Sequence, residues 1–162
     1  VLSEYPVESI KDAGGLLTSV WKVDAGIVAG EMRTLHEIEH EILRKLGDPR
    51  IHGAIVCASV SCPPLRPEAF TGGKLDEQLD DQMRRWLSNE QIGLTIEDEG
   101  ATIRVSSIFD WFEEDFEAEG ESVLTFLKQY MTDEKKSSLV NDPRVRYLDY
   151  DWSLNDLERH SG

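Results

Sequence analysis

Hydrophobic side chains recur at helical spacing in two parts of the chain. Between residues 35 and 46, apolar side chains return every three or four positions, which predicts a helix with one buried face. Thr34, with Glu37 three residues later, predicts a capping box at the start of this helix, and Gly47 is a typical residue for its end. The same spacing predicts a second helix over residues 74–87.

Other stretches have the pattern of strands. Residues 51–59 are almost all apolar, which predicts a strand buried on both faces. Residues 20–29 predict a hairpin centred on Asp24 and Ala25, and residues 92–105 predict a second hairpin. Hairpins mixed with helices, without strict alternation of strand and helix, are typical of an α+β fold. We therefore expect helices packed on a mixed or antiparallel sheet that has a buried central strand.

The second half of the chain continues this mixture. Ser106 is expected to cap an aromatic-rich helix over residues 108–116. Another helix is predicted over residues 121–131, and a closing strand over residues 145–152. The run of acidic residues at positions 113–121 is typical of a solvated face.

The length and composition predict one globular domain. The 162 residues match the size of one domain, over residues 1–162, and a composition of 40% hydrophobic and 30% charged residues is typical of a soluble protein. Residues 1–6 read as the end of a helix and the chain begins without Met, so we expect the domain to be trimmed on its N-terminal side. No apolar run reaches the roughly 20 residues of a membrane span, so no transmembrane segment is expected.

The charge of the chain narrows the choice of partners. Lys and Arg number 17 and Asp and Glu number 32, which gives a net charge of −15. Binding to nucleic acid or to an anionic membrane needs a basic surface, so we expect neither. A small-molecule ligand or a peptide ligand stays open.

One sequence motif has the form of a zinc site. Residues 36–40 read His-Glu-Ile-Glu-His, so that His36 and His40 would share a helix face, with Glu37 as a catalytic base. On a helical projection, however, Glu37 lies on the side opposite the apolar stripe, Glu39 lies within the stripe, and no third ligand follows. The sequence therefore predicts no metal and no other cofactor.

Glu39 is unusual because a carboxylate on a buried stripe must be paired or must have a raised pKa. Arg50, His52 and backbone N–H groups are the candidate partners. Two interpretations remain open. In one, Glu39 belongs to a structural ion pair, and in the other it is a base or an orienting group in a cleft.

The two cysteines lie five residues apart. Cys57 falls in the apolar run and is expected to be a core residue, whereas Cys62 precedes Pro63 and Pro64 at a sharp corner. A thiol at the start of a helix would have a lowered pKa and act as a nucleophile, but the sequence favours a half-buried cysteine that fixes the corner. A disulfide between the two cysteines also stays open, because export would permit one.

These features resemble the family called domain of unknown function 547. The resemblance covers nearly the whole chain, and it rests on Leu35, Ile38-Glu39-His40, Leu43-Arg44, Asp48-Pro49-Arg50-Ile51-His52, Val56-Cys57-Ala58-Ser59, Cys62-Pro63, Leu75, Leu79, Phe109, Trp111-Phe112, Asp115-Phe116, Tyr150-Asp151-Trp152 and Leu154-Asn155. It implies a polar cluster composed of Glu39, His40, Arg50, His52, Ser59 and Cys62. It also implies export or envelope association in bacteria and attachment to coiled-coil segments in plants, which favours interaction roles.

Two functions follow from these residues. The first is a binding or interaction module, with a buried Glu-His-Cys cluster and with Arg50 and Ser59 as ligand-binding residues. The alternative is a thiol-dependent hydrolase or transferase, in which Cys62 is the nucleophile, His40 its base and Glu39 the orienting group, with His52 as a further candidate. Pro63 and Pro64 lack the backbone N–H groups that an oxyanion hole needs, which weakens the enzyme hypothesis.

Overall fold

The computed structural model describes residues 7–13 and 19–156. The helix end predicted over residues 1–6 lies outside these ranges. The chain divides into two compact units. The first unit comprises Val1–Asp48, Cys57–Cys62 and Asp151–Gly162, and the second comprises Pro49–Val56 and Pro63–Tyr150. The single domain predicted over residues 1–162 stays a prediction.

The first unit contains a β-hairpin. Strand β1 (Asp24–Val28) pairs with strand β2 (Glu31–Thr34) in antiparallel orientation, and the turn consists of Ala29 and Gly30. Both turn residues have positive φ, 52° and 87°, which suits the twist of a tight hairpin. The predicted turn at Asp24-Ala25 is therefore wrong, because Val20–Lys22 forms a 3₁₀ turn and the strands begin later. A further 3₁₀ turn, Ile10–Ala13, precedes them.

A helix follows β2, as predicted over residues 35–46. It is a π-helix over Glu37–Leu43 that tightens into a 3₁₀ turn over Arg44–Leu46 and ends at Gly47, whose φ is +75°. The predicted capping box is confirmed. The N–H of Thr34 donates to Oε2 of Glu37 at 2.8 Å, and the N–H of Glu37 donates to Oγ1 of Thr34 at 3.1 Å.

The second unit contains helices around a three-stranded sheet. Its elements, in chain order, are α1 (Ile51–Ala54), α2 (Leu75–Ser88), β3 (Leu94–Glu97), β4 (Thr102–Val105), α3 (Ile108–Trp111), α4 (Glu113–Phe116), α5 (Val123–Tyr130), α6 (Asp133–Ser137) and β5 (Arg144–Tyr147), with 3₁₀ turns at Gly72–Lys74, Asp98–Gly100 and Ala118–Gly120. Strand β4 lies in the middle, antiparallel to β3 and parallel to β5. The mixed sheet and its helices confirm the predicted α+β class. Helix α2 confirms the helix predicted over residues 74–87, and strands β3 and β4 confirm the hairpin predicted over residues 92–105.

The core of the second unit lies where the helices pack on this sheet. Ile103 and Val105 on β4 are fully buried, and the indole of Trp86 stacks on Phe109 with 5.0 Å between ring centroids. The remaining buried members come from α2, from β3 and from the segment between β4 and β5: Met83, Leu87, Leu94, Ile108, Phe116, Val123, Phe126, Leu127 and Met131. The buried central strand is therefore β4.

The strand predicted over residues 51–59 is wrong. The N–H of His52 donates to the carbonyl of Pro49, and one helical turn, α1, follows. At Gly53 this turn comes so close to α2 that an added Cβ would lie 2.6 Å from Sδ of Met83. Residues 55–57 belong to no helix or strand, and Ser59 forms an isolated bridge with Leu154. A short apolar run does not distinguish a buried helical turn from a buried strand, which explains the error.

Two smaller differences concern the second half of the chain. The helix predicted over residues 108–116 is interrupted at Phe112, so that α3 and α4 are separate turns. The closing strand begins as predicted but ends at Tyr147. Among the described residues, no helix has the length and apolar character needed to cross a bilayer.

Candidate functional site

The capping box fixes the position of Glu37. Hydrogen bonds from the backbone N–H and the side chain of Thr34 hold the pKa of the Glu37 carboxyl below its usual value. The carboxylate is therefore part of the helix N-terminus, where a negative charge is stabilised by the helix dipole. This assigns Glu37 a structural role in place of the catalytic base that a zinc motif would require.

His36, which directly precedes the π-helix, lies next to His40 on that helix. Their ring centroids are 4.5 Å apart, and Nδ1 of His40 lies 3.3 Å from a guanidinium nitrogen of Arg44. Across the described ranges, no group of three His, Cys, Asp or Glu side chains is arranged to hold a metal ion. The expected absence of zinc stays a prediction.

Glu39 is half-buried on the same helix, as its place on the apolar stripe predicts. Burial raises the pKa of its carboxyl above the usual value. The charges of His40, Arg44 and His36 oppose this rise in the pKa, and negative charge on Cys57 adds to it. Burial outweighs these three neighbours, so the protonated form of Glu39 is favoured more than in water. These effects place Glu39 in an electrostatic group with an imidazole, a guanidinium and a thiol.

The two cysteines are in direct contact and both are in the reduced thiol form. The distance between their Sγ atoms is 3.0 Å, and the backbone N–H of Cys57 donates to Sγ of Cys62 at 2.8 Å. The Sγ of Cys57 also lies 3.0 Å from Oγ of Ser59. Cys62 is only 5% exposed, whereas Cys57 is half-buried. The prediction that Cys57 is merely a core residue therefore missed its polar contacts.

The loop that carries these thiols is anchored on both sides. Ala58 has a φ of +61°, which costs energy for a residue with a Cβ and turns the chain back on itself. The N–H of Val60 donates to the carbonyl of Ser153, and the N–H of Asn155 donates to the carbonyl of Ala58. Oγ of Ser61 accepts the N–H of Asp151 at 2.9 Å. Segment 151–155 thus holds the cysteine loop in its folded conformation.

Arg50 and His52 lie in the second unit. Arg50 binds two carboxylates on α2, Asp76 at 2.8 Å and Asp80 at 2.9 Å. Nε2 of His52 lies 2.7 Å from Oδ2 of Asp115, and the imidazole stacks on Phe112 with ring centroids 4.1 Å apart. The side chain of His52 is 1% exposed.

Asp115 corrects one sequence interpretation. The acidic run at residues 113–121 was expected to be a solvated face, but Asp115 faces the buried His52. The available signal was its position between Phe112 and Phe116, because an acid flanked by buried aromatic residues needs a partner.

The structure brings together some of the predicted site residues within the first unit. Cys57, Ser59 and Cys62 are in mutual contact, and Glu39 interacts electrostatically with His40 and Cys57. Arg50 and His52 have acidic partners of their own in the second unit. The inclusion of Glu39, His40, His52 and Cys62 in one cluster stays a prediction.

The fold and the site define an α+β protein with a compact thiol cluster beside a histidine-rich helix. Residues 10–87 match the model of the family described as "Protein of unknown function, DUF547". This match confirms the resemblance to the DUF547 family over residues 10–87. The resemblance of the later residues stays a prediction. The matched segment contains the π-helix, the cysteine loop and α2 except for its last residue, Ser88. No curated protein and no solved structure matches the chain.

Proposed function

We propose that this chain is a binding module that docks an extended segment of a partner protein on the hairpin β1–β2. The observation that carries this proposal is the exposure of Ile27 and Met32, which are 72% and 53% exposed. The two residues are directly opposite each other in the hairpin register, so their side chains share one face. Large apolar side chains that are grouped on a surface mark interaction sites.

The hairpin also has backbone groups for an added strand. In the part of the chain that the structure describes, no third strand pairs with β1 or β2. Among the described residues, each strand therefore has one edge that no other strand covers. A partner segment in extended conformation would form main-chain hydrogen bonds along such an edge and place alternate apolar side chains against Ile27 and Met32.

The net charge indicates the chemistry of the partner. A chain with a net charge of −15 attracts basic segments and repels acidic ones, which increases the rate of association with the former. We therefore assign the docking face to an extended segment that alternates apolar and basic residues.

In this proposal the thiol cluster maintains the fold of the first unit. Cys62 is buried, and its sulfur is bonded to the backbone N–H and the thiol of Cys57. Glu39 is likewise enclosed among charged groups of its own unit. These contacts leave the sulfur of Cys62 little open surface for a substrate.

The alternative function is a thiol-dependent hydrolase or transferase with Cys62 as nucleophile, His40 as base and Glu39 as orienting group. One observation favours it. The N–H of Cys57 lies 2.8 Å from Sγ of Cys62, and an N–H that donates to sulfur stabilises the thiolate. Against it, Cys62 is 5% exposed, and Pro63 has no N–H to offer an oxyanion.

The docking proposal is tested by titrating the isotope-labelled chain with two synthetic peptides, one alternating Val and Lys and one alternating Val and Glu. We expect the Val-Lys peptide to shift the backbone amide NMR signals of residues 24–34. Replacing both apolar residues, Ile27→Ser with Met32→Ser, should weaken this binding by about tenfold or more. Because both side chains are exposed, the stability of the double variant should stay within about 0.5 kcal/mol of the parent chain.

Three outcomes would contradict the docking proposal. The first is the absence of hairpin shifts up to millimolar peptide, and the second is equal binding of the Val-Glu peptide. The third is a concentration-dependent dimer that the double variant abolishes, because it would assign the same face to a second copy of the chain.

A further inference from the structure

We propose that Cys57 and Cys62 form a reversible intramolecular disulfide, which makes the cysteine loop a redox-controlled modification site. This inference does not rest on the docking face, because its residues belong to a different part of the first unit. It rests on the contact between the two thiols, the anchoring of the loop and the polar groups around each sulfur.

The first argument is proximity. Both cysteines are in the reduced thiol form, and their Sγ atoms are already 3.0 Å apart. A disulfide requires a separation of about 2.05 Å, so the sulfurs need to approach by roughly 1 Å. Rotations about the two side chains supply a movement of this size more readily than a rearrangement of the backbone.

The second argument is preorganisation. The N–H of Cys62 donates to the carbonyl of Ser59, which closes a turn between the two cysteines. The left-handed conformation of Ala58 and the hydrogen bonds to Asp151, Ser153 and Asn155 hold this turn in place. Two reacting groups that are already oriented react far more readily than the same groups in solution. We therefore expect ring closure to be favoured over bonding to an external thiol.

The third argument is the division of roles between the sulfurs. Cys57 is half-buried and Cys62 is buried, so an external reagent reaches Cys57 first. The N–H of Cys57 donates to the sulfur of Cys62, so a hydrogen-bond donor is already in place for the negative charge that this sulfur carries when it attacks. Cys57 is thus suited to react with the oxidant, and Cys62 is suited to attack the mixed disulfide that forms on Cys57.

The oxidant is a small-molecule disulfide such as oxidised glutathione. The Cys57 thiolate attacks one sulfur of the glutathione disulfide, which breaks the S–S bond, forms a mixed disulfide and releases one glutathione thiolate. The Cys62 thiolate then attacks Sγ of Cys57 and expels the second glutathione thiolate. The two cysteines lose two electrons, the oxidant gains them, and the two protons pass to the released glutathione.

Oxidation would also act on the polar cluster. Negative charge on Cys57 raises the pKa of Glu39, and a disulfide cannot carry that charge. The redox state of the thiols is therefore connected to the charge of the carboxyl on the π-helix.

The test uses the full chain, reduced and then equilibrated at pH 7 in buffers with different ratios of reduced to oxidised glutathione. Acid stops exchange, a maleimide labels the remaining thiols, and intact mass spectrometry counts the labels. As the oxidised share rises, we expect the doubly labelled chain to convert into an unlabelled chain that has lost two hydrogen atoms. This species should exceed the mixed glutathione adduct by about tenfold or more, since the second thiol is held in place. Returning the sample to excess reduced glutathione should restore both labels.

Single variants report the order of attack. Cys62→Ser should accumulate the glutathione adduct on Cys57, because the resolving thiol is absent. Cys57→Ser should form an adduct at least about tenfold more slowly, because Cys62 is buried. The parent chain in denaturant shows how readily the disulfide forms without the folded loop. It should need about ten times more oxidised glutathione than the folded chain to form the disulfide.

Three results would overturn this inference. In the first, the parent chain keeps both labels at every ratio of reduced to oxidised glutathione. In the second, oxidation stops at glutathione adducts. In the third, the disulfide forms only in denaturant. The double variant of the docking face should oxidise like the parent chain, so failure of the docking proposal leaves this measurement intact.

Discussion

At the scale of single residues, Glu39 shows how position on a helix determines charge behaviour. Its carboxyl lies on a face that also carries apolar side chains, and burial raises its pKa despite the charges of His40 and Arg44. Glu41, two residues later, is exposed and bonded to Lys45, and this hydrogen bond lowers the pKa of its carboxyl. The two acids therefore contribute to stability with opposite dependence on pH.

The variant Glu39→Gln should be more stable than the parent chain at pH 7, because it removes the cost of burying a carboxylate. A raised pKa means that the folded state binds more protons, so the parent chain loses stability as pH rises from 4.5 through the folded pKa of Glu39. The stability difference should therefore shrink toward zero as pH falls to 4.5. Urea unfolding at several pH values measures it.

Glu41→Gln is the matched control on the same helix. The pKa of Glu41 is lowered, so its contribution to stability is present above 4.5 and is lost as pH falls through its folded pKa. Glu41→Gln should therefore be less stable than the parent chain at pH 7, the opposite of Glu39→Gln. A destabilised Glu39→Gln at pH 7 would instead show that pairing with His40 and Arg44 outweighs burial.

The sequence predicts these local features unequally. The half-buried position of Glu39 and the reciprocal bonds of Thr34 and Glu37 follow from helical spacing, because both depend only on neighbours within one turn. The contact between Cys57 and Cys62 depends on the left-handed Ala58 and on hydrogen bonds to a segment about 90 residues away, as in the bond between Ser61 and Asp151. No pattern of neighbouring residues contains that information.

At the scale of elements, the helices and hairpins whose ends are marked by capping or turn residues are predictable. Helix α2 and the hairpin β3–β4 have strong apolar periodicity or a polar turn, and both are confirmed. The apolar run over residues 51–59 has neither a period nor a cap. In the structure it forms one helical turn, followed by a segment that belongs to no helix or strand. Close packing of that turn against α2 at Gly53 decides its conformation.

The contact between the end of α2 and the start of β3 gives a test of packing between elements. A Cβ added at Gly93 would lie 2.0 Å from the carbonyl oxygen of Trp86 and 2.9 Å from that of Asn89. Both neighbours are backbone atoms, which cannot move without breaking the helix end. Gly93→Ala should therefore lower the free energy of unfolding by about 3 kcal/mol or more, as measured by urea denaturation.

Gly73→Ala is the matched control for this substitution. An added Cβ at Gly73 meets no atom within 4 Å. Its effect should stay within about 0.5 kcal/mol. Equal effects of the two substitutions would mean that the close approach at Gly93 does not constrain the fold.

At the scale of the whole molecule, each unit shows a different character. The second unit contains the large apolar core, with Trp86 and Phe109 stacked at its centre. The first unit contains the hairpin with its exposed apolar pair, the histidine-rich helix and the cysteine loop. The α+β class is predictable from the order of elements. That the hairpin, the histidine-rich helix and the cysteine loop belong to the same unit is not, because it depends on contacts between residues far apart in the sequence.

We propose that the first unit binds a partner and that the contacts of Cys62 maintain the fold of this unit. The most direct measurement is the rate at which iodoacetamide alkylates each cysteine at pH 7, read residue by residue by peptide mass spectrometry. Because Cys62 is 5% exposed, it should react at least about tenfold more slowly than Cys57, and neither His40→Ala nor the control His36→Ala should change its rate. Rapid alkylation of Cys62 below the usual thiol pKa of about 8.5, slowed by His40→Ala but not by His36→Ala, would contradict this proposal and favour the thiol-dependent enzyme.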